Sequence, residues 1–249
     1  MRGEQESNCL AWVRQILDRN SALYLCADPR RIVHILKRAK PNPMQSRFPD
    51  FLFENGFIEH FQITASKETK KGALHKQTQV QFHHKAEQRF QIMCNELNIA
   101  QPTNSLTREI YEMETLPYSY EMYEVSFRKN WQHHFDSLQK YTGCRKIGIF
   151  LIEYQGPLFK AMRRGELVDF YHLYQDARLL QYIAEYQDEL SYVIFADGQN
   201  CEVIELENIP TLIEQAPRDI QFEPGRWKGV HLNLAVDMTI DGKDQEALT

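Results

Sequence analysis

The chain has 249 residues, 43% hydrophobic and 12% aromatic, with a net charge of −5. These are values of a globular protein, and they exclude wholesale disorder. No stretch reaches the roughly 18–20 apolar residues a bilayer span requires, and the polar start Met1–Ser7 lacks the apolar run of a signal peptide, so a cytoplasmic protein without a membrane partner is expected.

Residues 8–18 place Leu10, Val13, Ile16 and Leu17 on one face of a predicted helix. Asp28-Pro29 starts a second helix, with Asp as cap and Pro in the first turn, running to about Arg38 with Ile32, Ile35 and Leu36 buried. Pro41 and Pro43 mark a loop. A β-hairpin over 48–64 follows, its strands Phe48–Phe53 and Phe57–Thr64 joined by Glu54-Asn55-Gly56; Asn-Gly is a strong hairpin signal.

Residues 65–74 read as a polar, basic connection and His75–Leu97 as a helix. The stretch 99–118 reads as irregular, and Tyr120–Tyr141 as a long aromatic helix. Lys146–Tyr154 is a continuous apolar run, as expected of a strand covered on both faces. A helix over Leu167–Tyr186 is predicted next, then a second hairpin from Ser191–Ala196 and Cys201–Leu206, and a short helix over Pro210–Gln215. The fold class expected is α/β: one domain over 1–249 with a mixed central sheet and helices on both faces, weakly subdivided near 99–118, with a loose tail at 240–249.

The charge is uneven. Residues 29–89 hold twelve Lys and Arg against five acids, a net +7, leaving −12 for the rest. Such a segment attracts a polyanion, or is a solvated face that the acidic remainder neutralises. Cys9, Cys26, Cys94, Cys144 and Cys201 are far apart and form no CxxC pair, so free thiols in a reducing compartment are expected. P-loop, dinucleotide-binding and serine-hydrolase motifs are absent.

The hairpin carries Asp50 and Glu59. Hard divalent cations need oxygen ligands, and two carboxylates at that spacing suit one. Counting out from the turn with Phe53 near Phe57 or Ile58, Asp50 falls opposite Phe61, one diagonal step from Glu59. Strand alternation sets Glu59, Phe61 and Ile63 on one face and His60 and Gln62 on the other.

Pro49-Asp50, with Glu59 nine positions later in the apolar strand FIEHFQIT, resembles the PD-(D/E)xK nuclease superfamily. The resemblance implies a restriction-endonuclease-like core, a metal-dependent endonuclease cutting phosphodiester bonds, and Asp50 and Glu59 as ligands of Mg2+ or Mn2+. The family pattern places a lysine two residues after the Glu, where this chain has Phe61. Lys67, within the run Lys67, Lys70 and Lys71, is the expected substitute catalytic amine, and Arg47, Lys70, Lys71 and Lys76 are the expected phosphate contacts, with DNA favoured over RNA. Without the lysine, the alternative is a catalytically inactive nucleic-acid-binding or protein-interaction module; simpler still, Asp50 caps a turn and Glu59 pairs with an arginine.

Other residues carry less. Glu153 reads as a strand-end residue emerging to solvent, or as a third acid of the site. His83-His84 and His133-His134 point about 100° apart on a helix and read as surface residues. The aromatic helix 118–141 interleaves aromatics with Arg128, Lys129 and Lys140; it reads first as core packing or a homo-oligomer interface, and second as a base-stacking surface.

Overall fold

A computed structural model describes residues 3–44, 47–69, 72–99, 106–113, 118–225 and 229–236. The chain divides into two compact units, Met1–Ser66 with Tyr118–Gly225, and Lys67–Pro117 with Arg226–Thr249. The first unit opens with α1 (Glu4–Asp18), β1 (Leu23–Leu25), α2 (Pro29–Arg38), β2 (Lys40–Pro41), β3 (Phe51–Phe53) and β4 (Gly56–Ile63). The second unit supplies β5 (Glu68–Thr69), β6 (Gly72–Ala73), α3 (Leu74–Ile99) and β7 (Leu106–Met113). The first resumes with α4 (Tyr120–Lys140), β8 (Ile147–Tyr154), β9 (Phe159–Arg163), β10 (Glu166–Phe170), α5 (Ala177–Ala184), β11 (Tyr192–Ala196), β12 (Cys201–Glu205), α6 (Ile209–Gln215) and β13 (Gln221–Pro224). Last comes β14 (Gly229–Val236), paired antiparallel with β7 inside the second unit.

The first unit is a mixed α/β structure around a seven-stranded sheet in the order β1-β12-β11-β8-β4-β3-β2. Its centre, β4, β8 and β11, is parallel, whereas the β3–β4 and β11–β12 hairpins are antiparallel. Helices cover both faces. On one, Phe57, Phe61, Phe150, Ile152 and Val193 pack with Tyr123, Phe127 and Trp131 of α4 and Leu179 and Ile183 of α5. On the other, Ile58, Ile149, Leu151 and Ile194 pack with Leu10, Val13, Ile32 and Leu36 of α1 and α2. Each such side chain contributes roughly 1.5–3 kcal/mol of burial. Among the described residues no helix is long and apolar enough to cross a membrane.

Local signals hold where the chemistry is local. Asp28 caps α2 by accepting from the amides of Arg30 and Arg31. The aromatic stripe of α4 is spent inside the unit: Tyr120, Tyr123, Phe127, Trp131 and Leu138 are all buried, so this stripe is core packing. Asp176 caps α5 and accepts from the hydroxyls of Tyr120 and Tyr171 at 2.6 and 3.0 Å, tying α4 to α5.

Three expectations need correcting. The helix predicted over 167–186 is β10, a 3-10 turn and a shorter α5; Leu167, Val168 and Phe170 of β10 are exposed on an edge strand rather than packed as a helix face. The stretch 99–118, read as irregular, contains β7, whose partner β14 is not among the predicted elements. The hairpin turn is also different. Phe53 pairs with Gly56, leaving Glu54-Asn55 as a two-residue turn, and neither residue has a positive φ. Gly56 serves close approach instead, because a Cβ there would run into the carbonyl of Ile147. The tail at 240–249 lies outside the described residues.

Candidate metal centre

The register of the hairpin decides the site. Phe51 pairs with Ile58, so the next step along the ladder sets Asp50 directly opposite Glu59, not opposite Phe61. The hydrogen bonds agree: the Asp50 amide donates to Glu59 Oε2 at 3.0 Å, and the His60 amide donates to Asp50 Oδ2 at 2.8 Å. Asn42 fixes the approach. Its amide donates to the Asp50 carbonyl and its side chain to the Pro49 carbonyl, both at 2.8 Å. Asp50 is half-buried and Glu59 buried, at 6% exposure.

Both carboxyls are pushed up. Burial, then the neighbouring Glu59, raises Asp50 to about 7. Burial raises Glu59 to about 8, against the opposing pull of the Asp50 amide. Nδ1 of His134, on α4, lies 2.6 Å from Glu59 Oε1, and burial lowers that imidazole to about 4. The contact is a short hydrogen bond between two groups that burial shifts in opposite directions, the acid up and the imidazole down. Phe61 stacks on the same ring, centroids 4.8 Å apart, and meets Trp131 and Phe150 edge-on. The position where the nuclease pattern has a lysine is thus filled by a core aromatic at 3% exposure.

His60 points from the other face of β4. Its Nε2 lies 3.0 Å from Glu153 Oε2, and Gln62 Nε2 donates to the same oxygen at 2.7 Å. Cys9 of α1 completes the group: its sulfur, a ring nitrogen of His60 and an oxygen of Glu153 lie within 4.8 Å of one another. Burial, with Glu153 and Cys201 nearby, raises the Cys9 thiol, so it is no activated nucleophile.

Glu153 and His134 are the residues that sequence reasoning misplaced. Glu153 turns inward to His60 and Gln62 rather than out to solvent. Of His133-His134, only His133 is exposed; no local spacing marks His134, because its partner lies 75 positions away. Arg47 is exposed, its guanidinium 3.9 Å from the Met44 sulfur. Lys67 is exposed at the start of the second unit. Lys76 lies on α3, and Lys70 and Lys71 fall outside the described residues. Glu59 makes no ion pair with an arginine among the described residues. Among the described residues, Asp50 and Glu59 are bonded by backbone amides and His134.

No family model matches the chain, and neither does any curated protein or solved structure.

Proposed function

We propose that the protein is a metal-dependent nuclease in which Asp50 and Glu59 hold Mg2+ or Mn2+ against a phosphodiester, DNA being the preferred polymer. The observation that carries this reading is the direct cross-strand opposition of the two carboxyl groups. The donor set fits the ion: it is all oxygen, as a hard cation requires. Each carboxylate has about four lone-pair positions, and the amide and imidazole contacts take one on Asp50 and two on Glu59. Burial raises both carboxyls, and a cation that favours their ionised form would offset that cost. When bound, the ion supplies Lewis-acid polarisation of the phosphate and an acidified water.

The chain's own residues do the rest. The Asp50 and His60 amides fix the two carboxylates in one geometry, and His134 orients Glu59 from the helix side. His134, lowered to about 4, is a weak base and acts as a positioning residue. The water-activating amine of this reading is Lys67, with Arg47, Lys70, Lys71 and Lys76 as phosphate contacts, consistent with the +7 segment. The meander β2-β3-β4, crossing through α4 to the parallel strand β8, suits a restriction-endonuclease-like core.

A second reading, a nuclease-like fold that binds nucleic acid without cutting it, is favoured by one observation: the lysine position is the buried Phe61. Incubation of linear and circular DNA with Mg2+ or Mn2+ separates the two. Cleavage by the wild type that disappears in Asp50→Ala and Glu59→Ala supports the nuclease. Cleavage that persists equally in both sinks it. No cleavage, with salt-dependent binding that survives both substitutions, supports the second reading.

A further inference from the structure

We propose that Cys9, His60 and Glu153 form a second metal site, for a divalent ion of the zinc class, on the face of the sheet opposite Glu59. Three donors of three kinds converge from three separate elements, α1, β4 and β8, with their ligating atoms within 4.8 Å of one another. Cys9 and His60 are each 6% exposed, and the Glu153 side chain 14%. The strands that carry two of the donors are locked in register, with Gln62 opposite Glu153, so the donors are presented by rigid backbone.

The chemistry selects the ion. A thiolate and an imidazole are borderline-soft donors that Mg2+ does not seek and Zn2+ does. Sulfur, nitrogen and carboxylate oxygen together are a zinc set, and three protein ligands leave a fourth tetrahedral position for water. The His60–Glu153 separation is already close to that of a loaded site, and the Cys9 sulfur stands within 4.8 Å of both. Two bonds of roughly 2.0 Å at the tetrahedral angle span about 3.3 Å, and His60 Nε2 and Glu153 Oε2 stand 3.0 Å apart. The charges close as well. Loading expels the Cys9 thiol proton to solvent, and the thiolate and the carboxylate then balance a 2+ ion, so no net charge is left in a buried place.

The test is a titration of the metal-free, full-length chain with Co2+, followed by its thiolate-to-metal charge-transfer and ligand-field absorption. The expected result is one equivalent per chain with a thiolate band, bleached by Zn2+ and not by Mg2+. The band is expected to vanish in Cys9→Ser and to persist in Asp50→Ala, and the Co2+ affinity is expected to fall by about tenfold or more in Glu153→Gln. No thiolate band in the wild type, or a band that survives Cys9→Ser, overturns the proposal. Circular dichroism checks each variant for folding. If Cys9→Ser does not fold, the isosteric Glu153→Gln carries the test, and an unchanged Co2+ affinity there overturns the site.

Discussion

The carboxyl of Glu59 and the imidazole of His134 meet at 2.6 Å, with burial holding the acid at about 8 and the base at about 4. The strand and the helix thereby share a short hydrogen bond at the inner edge of the candidate metal centre. Replacing His134 by Ala removes that bond and the ring stacked on Phe61. Urea unfolding is expected to report a loss of about 2–3 kcal/mol. His134→Gln, which keeps a donor, is expected to recover part of it, and an unchanged midpoint in His134→Ala would contradict the coupling.

Restoring the lysine of the nuclease pattern is expected to fail. Phe61 is enclosed by His134, Trp131 and Phe150, so Phe61→Lys removes a packed ring and buries an ammonium among aromatic rings. A loss of about 3–5 kcal/mol is expected, with no gain in DNA cleavage. A stable variant that cuts faster than the wild type would mean the strand tolerates a lysine that the packing says it does not.

Divalent ions are expected to stabilise the wild type through Asp50 and Glu59. At a concentration a hundredfold above the dissociation constant, the gain is about 2.7 kcal/mol. Differential scanning fluorimetry with and without Mg2+ reads it as a rise in melting temperature. Asp50→Asn is expected to abolish most of the rise, and an equal rise in both proteins would place the ion elsewhere.

The close approach at Gly56 has a cost when filled. A methyl group there meets the Ile147 carbonyl, which belongs to the neighbouring parallel strand and cannot swing away as a side chain would. Gly56→Ala is expected to cost about 1–3 kcal/mol, measured by chemical denaturation. A neutral result would show that β4 and β8 can separate at their start.

One pH effect lies away from the metal centre. His172 Nδ1 is 3.1 Å from Glu202 Oε1, and Glu202, buried on β12, also accepts the amides of Leu173 and Tyr174. The hydrogen bond to Glu202 raises the imidazole above its usual 6.5. The folded chain therefore binds this proton more tightly than the unfolded chain. Its contribution is complete below about pH 6.5 and is lost as pH rises through the raised value. Because the ring is partly exposed, the effect is about 1 kcal/mol or less. His172→Gln is expected to flatten that part of the stability profile, and an unchanged slope would remove His172 as its source.

The sequence carried the parts of the fold whose causes are local. Asp28-Pro29 announced α2, the run 146–154 announced the central strand, and the aromatic hairpin announced β3 and β4. The register did not follow from Asn-Gly, because Gly56 answers to Ile147 on another strand rather than to the turn. The helix predicted over 167–186 failed at its start, because composition does not distinguish an apolar residue packed on a helix from one on an exposed edge strand, where Leu167, Val168 and Phe170 lie. β7 carries Arg108, Glu109 and Glu112 among its apolar residues and pairs with a strand more than a hundred positions away, so nothing nearby marked it. The same reason hid His134 and the Cys9–His60–Glu153 group. Asp50 and Glu59 were legible because a tight hairpin makes two carboxylates neighbours in space while they are still near in sequence.

His60 sits beside Glu59 in β4 yet serves the opposite side of the sheet. Inserting or deleting a single residue in the hairpin would exchange the two, turning the carboxylate toward Leu10 and Val13 and the imidazole toward Trp131. Neither constellation survives such a frame change: point substitutions can remove one and spare the other, but a shift of register removes both at once.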